Sequence, residues 1–398
     1  MSSSLSTASP VDAGTLCQAN PTTVNIAPQA LPCPVRESMR GAPQWFFTWL
    51  SGKPRFSEAS WNLSPTHHLL SAAIPLAIGV TGAFWMWSLA GWWLLSLPVF
   101  WLLALHGSRK LRTCIMHQCS HGNYLGQRNF DRFLGEAISI LVVSESFDTY
   151  VREHVAYHHS SHHTTIEDPT VAFLVKRMGL RPGMPVRTMW WRLLGTCLSP
   201  TYRIRGWIGR VRSNLFEASP VHTGVFLVYV VGVLTALAIT GAWIPFLVAV
   251  FIPLGIFFQM STAVRLSSEH TFPAKIPTKR DRSTIAGYTV GIFIGEQAPD
   301  PSLPWQKAVP AWIGWGVKMT FYHLPCRLGF LPMDGPCHDW HHRFPKSPDW
   351  PNYIHAREQD RQNGHPGWPP YTEVWGLHTA IQACFETLSK ADPDDYKV

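Results

Sequence analysis

Histidine residues recur in three short clusters of this chain, at spacings that suit metal ligands on helices. The clusters are His117-Gln-Cys-Ser-His121, His154-Val-Ala-Tyr-His158-His159 and His338-Asp-Trp-His341-His342. Helical residues three or four positions apart lie on one face, so His154 and His158 are predicted to point the same way. His159 would join them if the helix ends there. One more imidazole, His270, lies between the second and third clusters, directly after Glu269.

These histidines suit a site for two metal ions better than a site for one. Neutral imidazole is a good ligand for iron, zinc, copper and nickel. Nine imidazoles are too many for a single ion, and three clusters of this kind are hard to reach by chance. The candidate ligands are His117, His121, His154, His158, His159, His270, His338, His341 and His342.

The neighbouring residues narrow the choice of metal chemistry. Zinc hydrolases with a His-Glu-x-x-His motif need the Glu as general base. Here Gln118 occupies that position, and an amide cannot accept the proton. Structural zinc sites are typically rich in Cys, whereas this set is rich in imidazole. We interpret Cys119 and Cys337, inside or beside the clusters, as small packed residues. Two irons with mostly nitrogen ligands and open positions would suit oxygen activation.

The composition indicates a membrane protein with a large water-facing portion. Charged residues make up 15% of the 398 residues, and Trp occurs 19 times. Soluble chains average about 25% charged residues, and Trp gathers at membrane interfaces. The net charge is +8, and the eight cysteines contain no Cys-x-x-Cys pair. We therefore expect free thiols on a reducing, cytoplasmic side.

Two long stretches without charged residues predict four membrane-spanning helices. They run from Glu58 to Arg109 and from Glu217 to Arg265, with breaks near Ala90 and Gly241. One spanning helix needs about 20 apolar residues, so each stretch holds a hairpin, over residues 66–108 and 218–264. The predicted fold is an all-α integral membrane protein. Its four transmembrane helices would lie under a mostly helical cytosolic cap that holds a dimetal site.

The distribution of basic residues predicts the orientation of the chain. The two hairpin turns carry no Lys or Arg, whereas the flanking segments, residues 109–217 and 265–398, carry many. Positive residues favour the cytoplasmic side, so both termini and all candidate ligands are predicted to be cytoplasmic. Residues 1–40 are rich in Ser, Thr and Pro and are predicted to form a mobile tail before a domain at 41–398. The Trp- and Arg-containing segment 188–216 suits a helix on an anionic leaflet, or a landing face for an anionic carrier-bound substrate.

The three clusters resemble the three His boxes of the membrane fatty acid desaturase and hydroxylase superfamily. Their placement is also similar, with the first box at the end of span two, the second in the following loop and the third after span four. Glu269-His270 resembles the additional His ligand after the fourth span, and Asp168-Pro169 resembles the Asp-Pro after the second box. In architecture the resemblance covers roughly residues 60 to 390, and its specificity lies in the boxes.

This resemblance implies an O2-dependent, non-haem diiron oxidoreductase with the nine histidines as ligands. Such an enzyme takes two electrons from an external donor, here ferredoxin or a similar reductase, which the basic cap could dock. The box pattern favours desaturation of an unactivated C–C bond over hydroxylation. The substrate would be a lipid acyl chain, a carrier-bound chain or a small metabolite, and no nucleic-acid partner is expected. A non-catalytic metal transporter would place ionisable ligands within the spans, which contain almost none.

Several features leave alternatives open. His162 and His163 form a competing second box, although the distance to Asp168-Pro169 favours the frame that begins at His154. Acyl-CoA desaturases have Asn four residues before the late His ligand, where this chain has Leu266, which argues against that subgroup. Carboxylates could orient the imidazoles. The candidates are Asp168, Glu269 and Asp339, with Glu153 as a weaker one.

Overall fold

The computed structural model describes residues 32–40 and 43–397, and it confirms the predicted fold class. Four of its helices are long and apolar enough to cross a membrane: Pro65–Leu89, Gly91–Ser120, Pro220–Thr240 and Trp243–Leu266. Most of the predicted tail, residues 1–31, lies outside the described residues. Residues 34–38, which we also expected to be mobile, form a short helix in which Arg36 is fully buried.

Both predicted hairpins are present, and local signals explain where they begin and turn. Ser64 and Ser219 cap the first and third spans through their side-chain oxygens, each followed by a proline at the first helical position. The first turn passes through Ala90 and Gly91, whose φ angles are 55° and 57°. Gly241 closes the second hairpin with φ 67°. Only 11% to 39% of the most apolar part of each span is buried within the chain, so most of that surface suits lipid contact.

The first two spans pack closely enough to fix their relative position. A Cβ atom at Gly79 would lie 2.3 Å from the Ala104 nitrogen, and one at Gly107 would lie 2.5 Å from the Ala72 carbonyl oxygen. Small residues let membrane helices approach in this way. The second span therefore leaves the hairpin in a defined register, and its helix continues to Ser120.

The rest of the described chain forms a helical cap with one small sheet. Strands Val290–Phe293 and Thr372–Trp375 pair in parallel, with Val290 opposite Thr372. The helical segments of the cap are Pro34–Ser38, Gln44–Ser51, Arg128–Leu141, Phe147–Val151, Arg152–His158, Pro169–Ala172, Phe173–Arg177, Val186–Leu198, Pro200–Phe216, Arg282–Ala286, Trp305–Lys318, Met319–His323, Leu324–Gly329, Gly335–Cys337, His338–Arg343, Trp350–Asn352, Tyr353–Asn363, Leu377–Lys390 and Pro393–Tyr396.

A buried ion-pair network anchors the helix that carries the third histidine cluster. Lys53 Nζ lies 2.7 Å from Glu373 and 3.1 Å from Glu358. Arg357 then links Glu373, at 2.9 Å, to Asp339, at 2.6 Å. Buried charges are tolerated when each has a partner. The network therefore ties the segment before the first span, the small sheet and the third cluster into one unit.

Candidate metal centre

The structure brings the nine predicted histidines together in two adjoining groups. Within each group the candidate ligand nitrogens lie within 4.8 Å of one another. The first group contains His117, His121, His154, His159 and His341, and the second contains His158, His270, His338 and His342. Residues as far apart in sequence as 117 and 341 thus meet in one site, where the second span enters the cap.

The distances between ring nitrogens fit ligands that share an ion. His341 Nε2 lies 2.8 Å from His117 Nε2 and 3.1 Å from His159 Nε2. In the second group the Nε2 atoms of His338 and His342 are 3.1 Å apart. Two nitrogens that bind one ion at about 2.1 Å, about 90° apart, would be separated by about 3.0 Å. The spacing therefore matches adjacent positions of a coordination sphere.

Buried ring nitrogens without partners give a second indication that the groups fit metal ions. The Nε2 atoms of His121, His154 and His270 are buried and have no hydrogen-bond partner among the described residues. Buried polar atoms are normally satisfied, because leaving them unpaired costs free energy. A metal ion in each group would satisfy these atoms.

Burial keeps the imidazoles in the neutral form that binds metals. It lowers the pKa of His121 to about 3. Burial, and then the neighbouring histidines, also hold the pKa of six further rings well below the usual value. These are His154, His159, His270, His338, His341 and His342. Because metal ligands must be deprotonated, these rings are ready to bind at neutral pH.

A π-helical turn divides the second cluster between the two groups. Residues Arg152–His158 form a π-helix, and the His159 amide donates to the His154 carbonyl at 3.0 Å. In a π turn residues five apart are aligned, so His154 and His159 serve the first group and His158 serves the second. The rings of His154 and His158 remain neighbours, with centroids 5.5 Å apart, but the turn is a π-helix rather than an α-helix and the two residues belong to different groups.

The third cluster also contributes to both groups, but from an α-helix. His338 and His342, four residues apart on the helix His338–Arg343, belong to the second group. His341 belongs to the first group. Because the second and third clusters each supply both groups, the two candidate sites are held at a fixed separation by the same short helices.

Asp168 is the carboxylate most closely associated with the candidate ligands. Its oxygens accept from His158 Nδ1 at 3.0 and 3.1 Å, and one lies 3.2 Å from His163 Nδ1. Burial alone would lower the pKa of His158, but Asp168 outweighs burial and raises it. A hydrogen bond to Nδ1 fixes the ring orientation and leaves Nε2 free for a metal.

The other two predicted carboxylates are placed differently. Glu269 pairs with Arg265, and its second oxygen lies 4.0 Å from His338 Nε2. Asp339 accepts two hydrogen bonds from Arg357, at 2.8 and 2.6 Å. Asp339 lies on the helix of the third cluster, so these two bonds anchor that helix to Arg357.

The structure also places residues that the sequence patterns did not assign. His162, of the competing second box, is partly exposed and pairs with Glu167, whereas His163 is fully buried. His163 forms a third potential ligand group with His158 and Asp168. Asp334, which no sequence pattern indicated, lies 3.6 Å from His117 Nδ1, and burial raises its pKa to about 6.

A cavity of about 1220 Å³ adjoins both histidine groups. His117 and His154 of the first group line it, together with His158 and His338 of the second. A molecule in this cavity would therefore contact both candidate metal sites.

Four apolar spans under a helical cap, with imidazole groups able to bind metal, define this chain as an integral membrane protein with a candidate metal centre. The family model for fatty acid desaturases matches residues 97–375, a range that includes all nine candidate ligands. The chain belongs to the fatty acid desaturase family, and is thus a membrane oxidase of the desaturase and hydroxylase superfamily. A comparison with curated proteins finds no match.

Proposed function

We propose that this protein is a diiron oxidase that uses O2 and two electrons to desaturate an unactivated C–C bond of an acyl chain or acyl-like metabolite. The observation that carries the proposal is the division of nine imidazoles, seven of them buried and two half-buried, into neighbouring groups of five and four. The nitrogen-rich donor set suits iron. When bound, the two irons would supply reductive activation of O2 and removal of hydrogen from the C–H bonds.

The protein's own residues would hold the metal ions, orient a ligand and position the substrate. The imidazoles would hold the ions, and Asp168 would orient His158 through Nδ1. The cavity would place the substrate against His117, His154 and His338. In the overall balance, substrate, O2, two electrons and two protons give an alkene and two waters. The two substrate hydrogens leave with two electrons. The external donor supplies the other two of the four electrons that reduce O2 to water.

We propose that the candidate centre and both termini are cytoplasmic. The hairpin turns at Ala90-Gly91 and Gly241 are free of Lys and Arg, whereas the cap carries many. This asymmetry supports a cytoplasmic cap. A soluble donor, ferredoxin or a similar reductase, could then reach the basic cap surface, and lipid substrates could enter from the membrane.

Product mass tests the proposed reaction. Full-length protein loaded with iron and supplied with O2, ferredoxin and its reductase is expected to convert an acyl substrate to a product that has lost two hydrogens. Gain of one oxygen would show a hydroxylase and contradict desaturation. Turnover without O2 or reductant, as a membrane hydrolase would show, contradicts the oxidase assignment, as would absence of any product across a panel of acyl substrates.

A further inference from the structure

The cavity beside the candidate metal centre has a strongly charged wall. Its boundary includes parts of the second and fourth spans, the π-helical segment Arg152–His158 and the helix Pro200–Phe216. Its basic residues are Arg109, Arg112, Lys176, Arg177, Arg205, Arg210, Arg212 and Arg265. Its acidic residues are Glu145, Glu153, Glu167, Glu217 and Glu269. The cavity therefore has an excess of positive charge.

Three of the cavity's arginines are neutralised by carboxylates in the same wall. Their ion pairs are Arg112 with Glu145, Arg212 with Glu217 and Arg265 with Glu269. These pairs account for three of the five acidic residues. The positive charges available to a bound molecule are therefore those of the remaining basic residues.

Arg109 and Arg210 form no ion pair with a carboxylate within the described chain. Arg109 is 1% exposed, and among the described residues its guanidinium group hydrogen-bonds only to Thr262 Oγ1, at 2.8 Å. Arg109 Nε and Arg210 Nη1 are buried and have no partner in the described part of the chain. Buried charged groups normally have a counter-charge, because desolvation without one is costly.

The two guanidinium groups also share a neighbour. The central carbons of Arg109 and Arg210 lie 5.0 and 4.8 Å from the centroid of the Phe258 ring. Burial lowers the pKa of Arg210 to about 10, which still leaves it charged at neutral pH. Both guanidinium groups therefore flank one aromatic ring in the cavity wall, where a bound anion would supply the missing counter-charge.

We propose that this cavity binds the anionic group of the substrate, a carboxylate or phosphate, at Arg109 and Arg210. The proposal rests on the proposed function, because it takes the cavity as the substrate site. Arg109 precedes His117 by eight residues on one span, about 12 Å along the helix axis, so the anion would lie roughly that far from the candidate metal centre. At about 1.2 Å per bond of extended chain, the reacting carbons would then lie about ten bonds from the anion.

The charged wall disfavours two other kinds of substrate. A simple hydrocarbon would leave the two guanidinium groups buried without a counter-charge. A carrier thioester has an uncharged linkage, so at this position it would give the two guanidinium groups no counter-charge. The substrate class is therefore an acyl-like molecule with its own anionic end, either a free acid or a lipid whose headgroup supplies the charge.

Binding of octanoate, compared with octan-1-ol, tests the proposal on iron-loaded full-length protein in neutral detergent. By equilibrium dialysis we expect octanoate to bind at least about 10-fold more tightly, because a charge-assisted hydrogen bond contributes about that much or more. Arg109→Gln and Arg210→Gln should each weaken octanoate binding about 10- to 100-fold and leave octan-1-ol binding unchanged. Arg128→Gln, at an exposed arginine outside the cavity, is the matched control and should bind octanoate normally.

Equal binding of octanoate and octan-1-ol by the unmodified protein would overturn the proposal without any variant. Unchanged octanoate affinity in both arginine variants would also overturn it. Competition by phosphatidylglycerol vesicles separates the two sources of the anionic group. Displacement of octanoate identifies a lipid headgroup, and retention of octanoate identifies a free acid. The iron content of the same samples distinguishes failure of the anion site from failure of the diiron assignment. Bound iron without a preference for octanoate contradicts only the anion site. A preference for octanoate without bound iron contradicts only the diiron assignment.

Discussion

His341→Ala is expected to remove most of the iron from the purified protein, which should otherwise contain about two iron ions per chain. The His341 ring joins the first group, with Nε2 2.8 Å from His117 Nε2 and 3.1 Å from His159 Nε2. The same short helix supplies His338 and His342 to the second group. We therefore expect both ions to be lost together, and His158→Ala to have the same effect. Elemental analysis of detergent-purified protein measures the ratio.

His162→Ala is the matched control for this experiment. His162 lies close to His158 in sequence, but its side chain is 37% exposed and it belongs to none of the potential ligand groups. Its removal should leave the iron content unchanged. Unaltered iron in both His341→Ala and His158→Ala would defeat the assignment of these residues as ligands.

Asp168→Asn is expected to weaken iron binding by about 10- to 100-fold, the usual effect of losing a carboxylate that orients a ligating histidine. Asp168 accepts from His158 Nδ1 at 3.0 Å. An asparagine keeps the shape of the aspartate but loses its charge. If its side-chain NH2 group faced His158 Nδ1, two donors would oppose each other, so only the other orientation of the amide keeps the hydrogen bond. Competition of the iron-loaded protein against a chelator of known affinity measures the change.

Asp168 also caps the helix Pro169–Ala172 by accepting from the Thr170 amide at 2.9 Å. Asparagine caps helices about as well as aspartate, so the substitution should leave this bond in place and separate metal binding from folding. Glu167→Gln is the control, because Glu167 is 60% exposed and pairs with His162. Iron affinity in Asp168→Asn equal to that of Glu167→Gln would show that the carboxylate does not position the ligand.

The spans were predictable because lipid imposes a simple rule on sequence. A helix in the bilayer excludes charged residues over about 20 positions. The two charge-free stretches, broken at Ala90 and Gly241, therefore predicted both hairpins. The composition of Leu111 to His121 also predicts that the second helix continues past Arg109, and it does continue to Ser120. Its basic residues face the cap and the cavity.

The identities of the clustered histidines could be read from spacing, but their grouping could not. Nothing in the apolar pattern distinguishes the π turn at Arg152–His158 from an α-helix, and that turn decides which group His154 and His158 join. Contacts between distant segments were equally hidden, as with Asp334 beside His117 and Arg357 on Asp339. Such contacts depend on how the cap folds over the spans, which local patterns do not encode.

Anomalous X-ray scattering at the iron edge, from crystals of the iron-loaded full-length protein, tests the central claim most directly. We predict two peaks, one among the five imidazoles that include His117 and His341, and one among the four that include His158 and His338. A single peak, or iron bound away from these two groups, would contradict a diiron centre built from the three histidine clusters.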